Sequence, residues 1–239
     1  MADNTQLGKV ESHTTDGICT ITFSHPAHNS LPGRLLAELK SAIEAAGANE
    51  QARVVILQSG GARTFCAGAS FDELTAIRDV AQGKQFFSGF AGVINAMRKC
   101  PKFVLGRVQG KAIGGGVGLA CATDYCVGTK YASVKLSELA IGIGPFVVGP
   151  AVERKIGTAA FQQLAINATA FQSAYWAKEK GLYTEVFEDT PAMDEHLQGL
   201  ARQLAASNPA AMRELKRSSW VGTDHWDDLL AERAAISGE

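Results

Sequence analysis

One carboxyl group in the sequence stands in surroundings that favour acid–base chemistry. Glu138 lies in the segment Ser137–Phe146, where most of its neighbours are apolar residues or glycines. Apolar surroundings disfavour the charged form of a carboxyl group, so they raise its pKa toward the pH at which enzymes work. The segment therefore indicates Glu138 as a general acid or base, although an exposed glutamate at the start of a helix fits the same pattern.

A glycine-rich stretch, Gly110–Ala120, carries a second kind of chemistry. It follows a predicted strand and leads into small apolar residues. It lacks the pattern G-x-x-x-x-G-K-[ST], and Leu119 stands where the third glycine of G-x-G-x-x-G would fall, so neither nucleotide-binding motif is present. The unpaired N–H groups that begin the following helix carry partial positive charge and can stabilise an oxyanion. A tightly packed turn without a ligand is the structural alternative.

A third segment, Arg63–Leu74, also places small residues immediately before a helix. Ser70 and Glu73 match the capping-box pattern S-x-x-E and predict a helix over Phe71–Arg78. A structural loop would explain this segment equally well. The three segments together are far more specific than any one of them.

Composition limits the class of protein. The chain has 239 residues, 46% hydrophobic and 20% charged, with a net charge of −1, which predicts a packed domain and argues against nucleic acid as a partner. The five cysteines form no C-x-x-C motif and have no histidine at metal-ligand spacing, so we expect reduced, buried thiols and no metal. The N-terminus has no basic start followed by an apolar run, and no segment has the ~20 apolar residues of a membrane span. We therefore expect a cytoplasmic protein with no membrane partner.

The elements that position these segments alternate between strands and helices. This order predicts an α/β core over residues 1–188, followed by a helical region over residues 189–239. Thr190-Pro191 and Asn208-Pro209 each place a capping residue before proline and predict helix starts. The predicted strands are Ile18–Phe23, Val54–Leu57 and Phe103–Val108, and the predicted helices cover Leu31–Ile43, Phe71–Arg78 and Lys84–Met97.

The ordered set of motifs resembles the crotonase superfamily, also called the enoyl-CoA hydratase/isomerase family. The resemblance runs from about Gly17 to about Arg217. It is carried by Asp16–Phe23, Asn29–Leu31, Phe65–Ala69, Val108–Gly116, Asp124, Ser137-Glu138 and Ala177–Tyr183.

The resemblance implies an α/β fold, a spiral of β-β-α turns with a helical C-terminal region that mediates trimer formation. It implies an acyl-CoA thioester as substrate, with coenzyme A as the substrate's carrier and no other cofactor. The backbone N–H groups of Ala67 and Gly115 would form the oxyanion hole, and Glu138 would be the catalytic acid–base group. The loop Ala62, Arg63 and Thr64 would receive the adenine of coenzyme A. The remaining substrate-binding residues would be Cys66, Gly68, Ala69, Gly114, Gly118, Pro145 and Phe146.

The sequence departs from the hydratases of that family at one decisive position. Those hydratases use two glutamates, one matching Glu138 and the other falling at Gly118, which has no side chain. A single carboxyl group suits proton shuttling better than holding a water. The chain therefore resembles the isomerases that move a 3-enoyl-CoA double bond to the 2-position, which also share the Pro145-Phe146 dipeptide. An enoyl-CoA hydratase, a carboxyacyl-CoA decarboxylase and a non-catalytic acyl-CoA-binding protein remain the alternatives.

The resemblance also implies the assembly, a homotrimer or a hexamer made from two trimers. Residues Ala231–Glu239 stop short of the final helix that many family members carry and that often completes the coenzyme A site or the trimer contact.

Overall fold

Two sheets made mainly of parallel strands form the framework of the protein, which a computed structural model describes for residues 7–237. The larger sheet has six strands in the order β1-β2-β3-β5-β7-β9, and the smaller has three in the order β4-β6-β8. Only the β1–β2 pair is antiparallel. The strands are β1 Lys9–Thr15, β2 Ile18–Ser24, β3 Val54–Ser59, β4 Thr64–Cys66, β5 Val104–Val108, β6 Lys111–Ile113, β7 Tyr125–Thr129, β8 Val134–Lys135 and β9 Glu185–Phe187.

Helices connect the parallel strands and then continue to the C-terminus. The first four lie between strands, with α2 and α3 in one connection, and the last three follow β9. A 3₁₀ turn at Leu139–Ile141 lies between β8 and α5. The helices are α1 Gly33–Ala48, α2 Phe71–Ala76, α3 Val80–Lys99, α4 Gly115–Ala122, α5 Gly149–Ile156, α6 Thr158–Ile166, α7 Ala174–Glu179, α8 Thr190–Ala205, α9 Pro209–Ser219 and α10 Trp226–Ile236.

The larger sheet is buried on both faces, which explains why β3 is a continuous apolar run from Val54 to Leu57. On one face, Val55 and Leu57 belong to the main core together with α1 and α3. On the other face, Ile56 packs in a second cluster that includes Met193 and Leu197 of α8. Helix α8 therefore completes the core of the sheet, because without it the second face would be open to water.

The α/β fold of the crotonase type is confirmed, as are the three predicted strands and the helices around them. The prediction gives no range for β1, β4, β6, β7, β8 and β9. Four of these, β4, β6, β8 and β9, have three or fewer residues and so give little alternating signal. The division at residue 188 and the trimer-forming role of the C-terminal helices stay predictions.

Three predicted helix starts are correct in position, and two of them differ in detail. Ser70 caps α2 by accepting the Glu73 N–H, but the Glu73 carboxylate accepts the Gly33 N–H at 2.8 Å instead of closing the capping box. Asn208 caps α9 as predicted. Helix α8 is capped by Asp189 rather than Thr190, because the Asp189 carboxylate accepts the Ala192 N–H at 3.0 Å.

All five cysteines are buried and unpaired, as predicted. Within residues 7–237, no helix combines the length and the apolar character needed to cross a membrane.

Candidate active site

A cavity of about 200 Å³ lies where the segments that follow β4, β6 and β8 of the smaller sheet meet helix α3. Most of its walls are apolar. The lining residues are Ala67, Gly68, Ala69, Phe71, Leu74, Phe86, Phe87, Phe90, Gly114, Gly115, Ser137, Glu138, Ile141, Ile143, Gly144, Pro145, Phe146, Val147, Val148 and Ser237. The cavity thus brings together residues from all three segments that sequence analysis selected.

The smaller sheet explains why two of these segments meet. Strands β4 and β6 are parallel neighbours, so Ala67–Ser70 and Gly114-Gly115 leave the sheet at the same end. Gly68 has a φ of +90°, and a Cβ there would lie 3.0 Å from the Ile113 carbonyl oxygen and 3.4 Å from the Gly115 nitrogen. A side chain at position 68 would therefore be strained and would push the two segments apart.

The backbone amides in these segments divide into used and unused donors. The Ala67 N–H donates to the His28 carbonyl at 3.2 Å, and the Gly68 N–H donates to the Cys66 Sγ at 3.4 Å. The Gly115 N–H begins α4 and has no carbonyl one turn earlier in the helix to accept it. Among the described residues, the Ala69 N–H also has no hydrogen-bond acceptor.

This division corrects the prediction for Ala67. Its amide already holds the chain against His28, so it is not an open donor for a ligand. Ala69 and Gly115 each carry an unused N–H group, and they stand on the two neighbouring segments that line the cavity. The sequence alone could not distinguish positions 67 and 69, because the choice depends on a hydrogen bond to a residue 39 positions earlier in the chain.

Glu138 is placed by the short connection that follows β8. It precedes the 3₁₀ turn Leu139–Ile141, and its own carbonyl accepts the N–H groups of Ile141 and Ile143 at 3.1 Å each. These bonds fix the backbone of Glu138, and the side chain turns inward. Its Oε1 lies 3.0 Å from where a Cβ on Gly114 would stand, beside the start of α4.

The carboxyl group of Glu138 is buried with no counter-charge among the described residues. Its Oε2 is inaccessible to solvent and has no hydrogen-bond partner within the described part of the chain. Burial raises the pKa of Glu138 from 4.5 to about 7, while the nearby backbone amides of Glu138 and Ser137 act in the opposite direction. Of the residues within 7–237 that line the cavity, Glu138 is the sole ionisable one. The arrangement can hold or release one proton near neutral pH.

Gly118 does not line the cavity, contrary to its prediction as a substrate-binding residue. It is fully buried in α4, where Val148 packs on it, and a Cβ at position 118 would lie 2.5 Å from the Val148 Cγ1. Such a distance is shorter than any real contact allows. There is therefore no room for a second carboxyl group at this position.

The remaining predicted residues fall into two groups. Gly114, Pro145 and Phe146 line the cavity, whereas Ala62 and Arg63 are exposed and Thr64 is half-buried in β4, outside it. Cys66 is buried below the cavity, and burial raises the pKa of its thiol to about 12, so it is not a nucleophile. The prediction that Ala62–Thr64 receive the adenine of coenzyme A stays a prediction.

Two side-chain amides that sequence analysis missed hold this loop. The Asn29 Nδ2 donates to the carbonyls of Gly60 and Thr64, at 2.7 Å and 2.8 Å. The Gln109 Nε2 donates to the Gly61 and Thr64 carbonyls at 3.2 Å each. Because backbone carbonyls are the acceptors, nothing in the loop sequence shows that these contacts form.

The aromatic wall of the cavity was also missed. Phe86 and Phe90 stand four residues apart, so they share one face of α3, and Phe87 packs edge-to-face on Phe86. Their spacing is visible in the sequence, but it is equally typical of an ordinary core helix.

The fold and the cavity define a class of protein: an α/β spiral that places two open backbone amides and one buried acid around an apolar cavity. The chain belongs to the enoyl-CoA hydratase/isomerase family, the crotonase superfamily, because the sequence model of that family matches residues 13–234.

Curated relatives of the chain include both isomerases and hydratases. It is 27% identical to the peroxisomal Delta(3,5)-Delta(2,4)-dienoyl-CoA isomerase of Arabidopsis thaliana, with 93% of this chain and 85% of that protein covered. It is 32% identical to the mitochondrial methylglutaconyl-CoA hydratase of Rattus norvegicus, with 79% and 60% covered. Among solved structures, the enoyl-CoA hydratase of Bacillus anthracis superposes with a TM-score of 0.82 at 27% identity, with 97% and 90% covered.

Proposed function

We propose that the protein is an enoyl-CoA isomerase that moves the double bond of a 3-enoyl-CoA to the 2-position. The observation that carries this proposal is the single ionisable side chain at the cavity, Glu138, with position 118 closed by Val148. A single carboxyl group with a pKa of about 7 can accept a proton from one carbon and donate it to another.

The backbone amides of Ala69 and Gly115 bind the thioester oxygen in this mechanism. Both residues line the cavity and both N–H groups lack acceptors among the described residues. Removal of a proton from the carbon next to the thioester places negative charge on that oxygen, and preorganised donors stabilise it. One such donor contributes roughly 3–4 kcal/mol of transition-state stabilisation in enzymes generally.

Glu138 carries the proton. Its carboxylate removes a proton from C2 of the 3-enoyl thioester, which gives a dienolate whose charge extends from the thioester oxygen to C4. The same carboxyl group then donates that proton to C4, so the double bond moves from C3–C4 to C2–C3 and no atom is gained or lost. Burial supports this role because it makes the carboxylate a stronger base than an exposed one.

The cavity is less suited to hydration of an enoyl-CoA than to its isomerisation. Water must be oriented and partly deprotonated while a proton is delivered to C2, and two groups divide that work more readily than one. The closed space at Gly118 therefore favours isomerisation. The relationship to a methylglutaconyl-CoA hydratase at 32% identity keeps hydration as the second candidate.

The remaining parts of the proposal follow the family. Coenzyme A acts as the carrier of the substrate, and no further cofactor takes part. The loop Ala62–Thr64, held by Asn29 and Gln109, receives the adenine. The protein works in the cytoplasm as a homotrimer or a hexamer.

Product analysis tests the proposal directly. Purified protein is incubated with 3-hexenoyl-CoA and, separately, with 2-hexenoyl-CoA, and the products are separated and identified by mass. We expect conversion of 3-hexenoyl-CoA to its 2-isomer at constant mass, with little addition of water to either substrate. Rapid formation of 3-hydroxyhexanoyl-CoA, 18 mass units heavier by the addition of one water, would replace the isomerase proposal with the hydratase.

A further inference from the structure

The walls of the cavity beyond Glu138 carry information about the acyl group. Apart from the carboxyl group, the polar side chains that line it belong to Ser137 and Ser237. The Ser237 hydroxyl already donates to the Arg233 carbonyl at 2.9 Å. The other side-chain walls are apolar, and five phenylalanines contribute to them: Phe71, Phe86, Phe87, Phe90 and Phe146. An acyl chain in this cavity therefore meets hydrocarbon.

The cavity also lacks a counter-charge. No lysine, arginine or histidine within residues 7–237 lines it. A carboxylate at the far end of an acyl chain would lose its hydration without gaining a partner, which is costly. The charge of Glu138 in the same cavity would add repulsion. Both effects discriminate against acyl groups that carry a second acid.

The size of the cavity limits the length of the chain. Its volume is about 200 Å³, whereas an apolar cavity of ~150 Å³ holds benzene, a molecule of six carbons. By that ratio the cavity holds roughly eight non-hydrogen atoms. Because the carbonyl oxygen is one of these atoms, about seven acyl carbons, the thioester carbon included, fill the space, and eight is the upper limit.

Three phenylalanines of helix α3 line the cavity at different positions along the helix. The Phe90 ring packs against Gly115, at the end of the cavity where the thioester oxygen binds. Phe86 and Phe87 lie about one helical turn, ~5.4 Å, closer to the start of α3. Phe87 is only half-buried and stacks edge-to-face on Phe86 with ring centroids 5.1 Å apart. Its ring therefore stands beside the part of the chain beyond the reacting carbons.

From these observations we infer that the site accepts an uncharged acyl chain of at most about eight carbons, and that Phe87 is a specificity-determining residue that limits its length. This inference rests on the proposed function for the identity of the site, and it adds the class of acyl group.

Binding of saturated acyl-CoA thioesters tests the inference without any turnover. Isothermal titration calorimetry measures Kd for butanoyl-, hexanoyl-, octanoyl-, dodecanoyl- and hexadecanoyl-CoA, and for adipoyl-CoA, the six-carbon thioester that ends in a carboxylate. We expect affinity to rise about fourfold per methylene up to about eight carbons and then to stop rising. Adipoyl-CoA should bind at least tenfold more weakly than hexanoyl-CoA. Continued gains to sixteen carbons, or equal binding of adipoyl-CoA, would overturn the inference.

The role of Phe87 is tested by a matched pair of variants. Phe87→Ala opens the cavity wall, and the length at which affinity stops rising should move two or more carbons longer. Phe161→Ala removes another half-buried phenylalanine that packs on the same core outside the cavity, and its profile should match the wild type. If Phe87→Ala fails to fold, Phe87→Leu gives a smaller shift in the same direction. An unchanged profile in a folded variant would exclude Phe87 as the limit.

The two proposals fail separately in these experiments. A protein that shows the expected length and charge preferences but does not isomerise 3-hexenoyl-CoA would disprove the proposed function and leave this inference intact. Isomerisation with equal binding of all the thioesters would do the reverse.

Discussion

Two buried carboxyl groups in this protein have opposite surroundings. Asp124 accepts the Val104 N–H at 2.7 Å and the Trp220 Nε1–H at 2.8 Å, and it pairs with the Lys216 Nζ at 2.8 Å. The Oε2 of Glu138 has no partner in the described structure. Both carboxyl groups are largely shielded from water, but only Asp124 has received a counter-charge in exchange.

The difference separates a structural acid, Asp124, from Glu138, the acid that we propose to be catalytic. Asp124 joins β5 to α9, and Lys216 extends the network by donating to the carbonyls of Met97 and Lys102 at 2.8 Å each. A buried ion with full hydrogen bonding fixes the elements around it. A buried acid without partners destabilises the fold in its charged form, so its position is explained by chemistry. Variants of Glu138 test the acid without a counter-charge, and variants of Lys216 and Trp220 test the paired one.

Loss of the Glu138 carboxyl should have the largest effect. In Glu138→Gln the isomerisation of 3-hexenoyl-CoA should slow by roughly 10²–10⁴-fold in kcat, because the amide cannot accept the C2 proton. Steady-state kinetics measure this, with Asp124→Asn as the comparison. Per folded molecule, Asp124→Asn should stay within a few-fold of the wild type. A loss below tenfold in Glu138→Gln would exclude it as the proton carrier.

Removal of the counter-charge of Asp124 should reduce the stability of the fold rather than its activity. Lys216→Met leaves the Asp124 carboxylate buried with its counter-charge removed, and we expect a loss of about 3–5 kcal/mol in the free energy of unfolding. Urea denaturation measures it. The control is Lys178→Met, which breaks an ion pair to Glu185 whose side chains are 42% and 45% exposed and should cost at most about 1 kcal/mol. Equal losses in the two variants would mean that burial does not increase the contribution of the Asp124–Lys216 pair to the free energy of unfolding.

The contrast also shows how far the sequence alone leads. Strands such as β3 and the capped start of α9 are local features, so apolar runs and a single Asn208-Pro209 pair predict them. Glu138 was selected because its neighbours in sequence are apolar, and those same neighbours form the cavity. Local patterns succeed where the chain segment itself supplies the environment.

Features that depend on distant contacts were not predicted. The open amide belongs to Ala69 rather than Ala67 because His28 occupies the latter, and Val148 decides that Gly118 is closed. The Asp124 network likewise joins residues 104, 124, 216 and 220, which have no pattern in the sequence. Such pairings follow from tertiary packing and are known only when the fold is.

Burial of the Glu138 carboxyl group also predicts how the free energy of unfolding depends on pH. The pKa of Glu138 is about 7 in the folded protein against an ordinary value of 4.5, so the folded state is favoured at low pH and loses that advantage as pH rises through 7. The Glu138→Gln variant has no group that ionises at this position, so it avoids this loss of stability. It should be about as stable as the wild type at pH 4 and about 2–3 kcal/mol more stable at pH 8.5.

Urea denaturation at several pH values measures this difference. The exposed Glu195→Gln on α8 is the control, and its difference from the wild type should change little over the same range. A Glu138→Gln variant that is less stable than the wild type at pH 8.5 would mean that the carboxylate has a stabilising partner, which contradicts the contrast with Asp124.

The smallest expected effect concerns one hydrogen bond on the partnered side. Trp220→Phe keeps an aromatic ring beside Trp226 but removes the Nε1–H that donates to Asp124 at 2.8 Å. A hydrogen bond to a charged group contributes about 1.5–3 kcal/mol, and the smaller ring adds a further loss of packing. Trp226→Phe isolates that packing loss, because it shrinks the other ring of the same edge-to-face pair and leaves the bond to Asp124 in place. The difference between the two variants in urea denaturation should therefore be about 1.5–3 kcal/mol, with Trp220→Phe the less stable. If the two lose the same stability, Lys216 and the Val104 N–H alone satisfy Asp124, and the indole contributes only its surface.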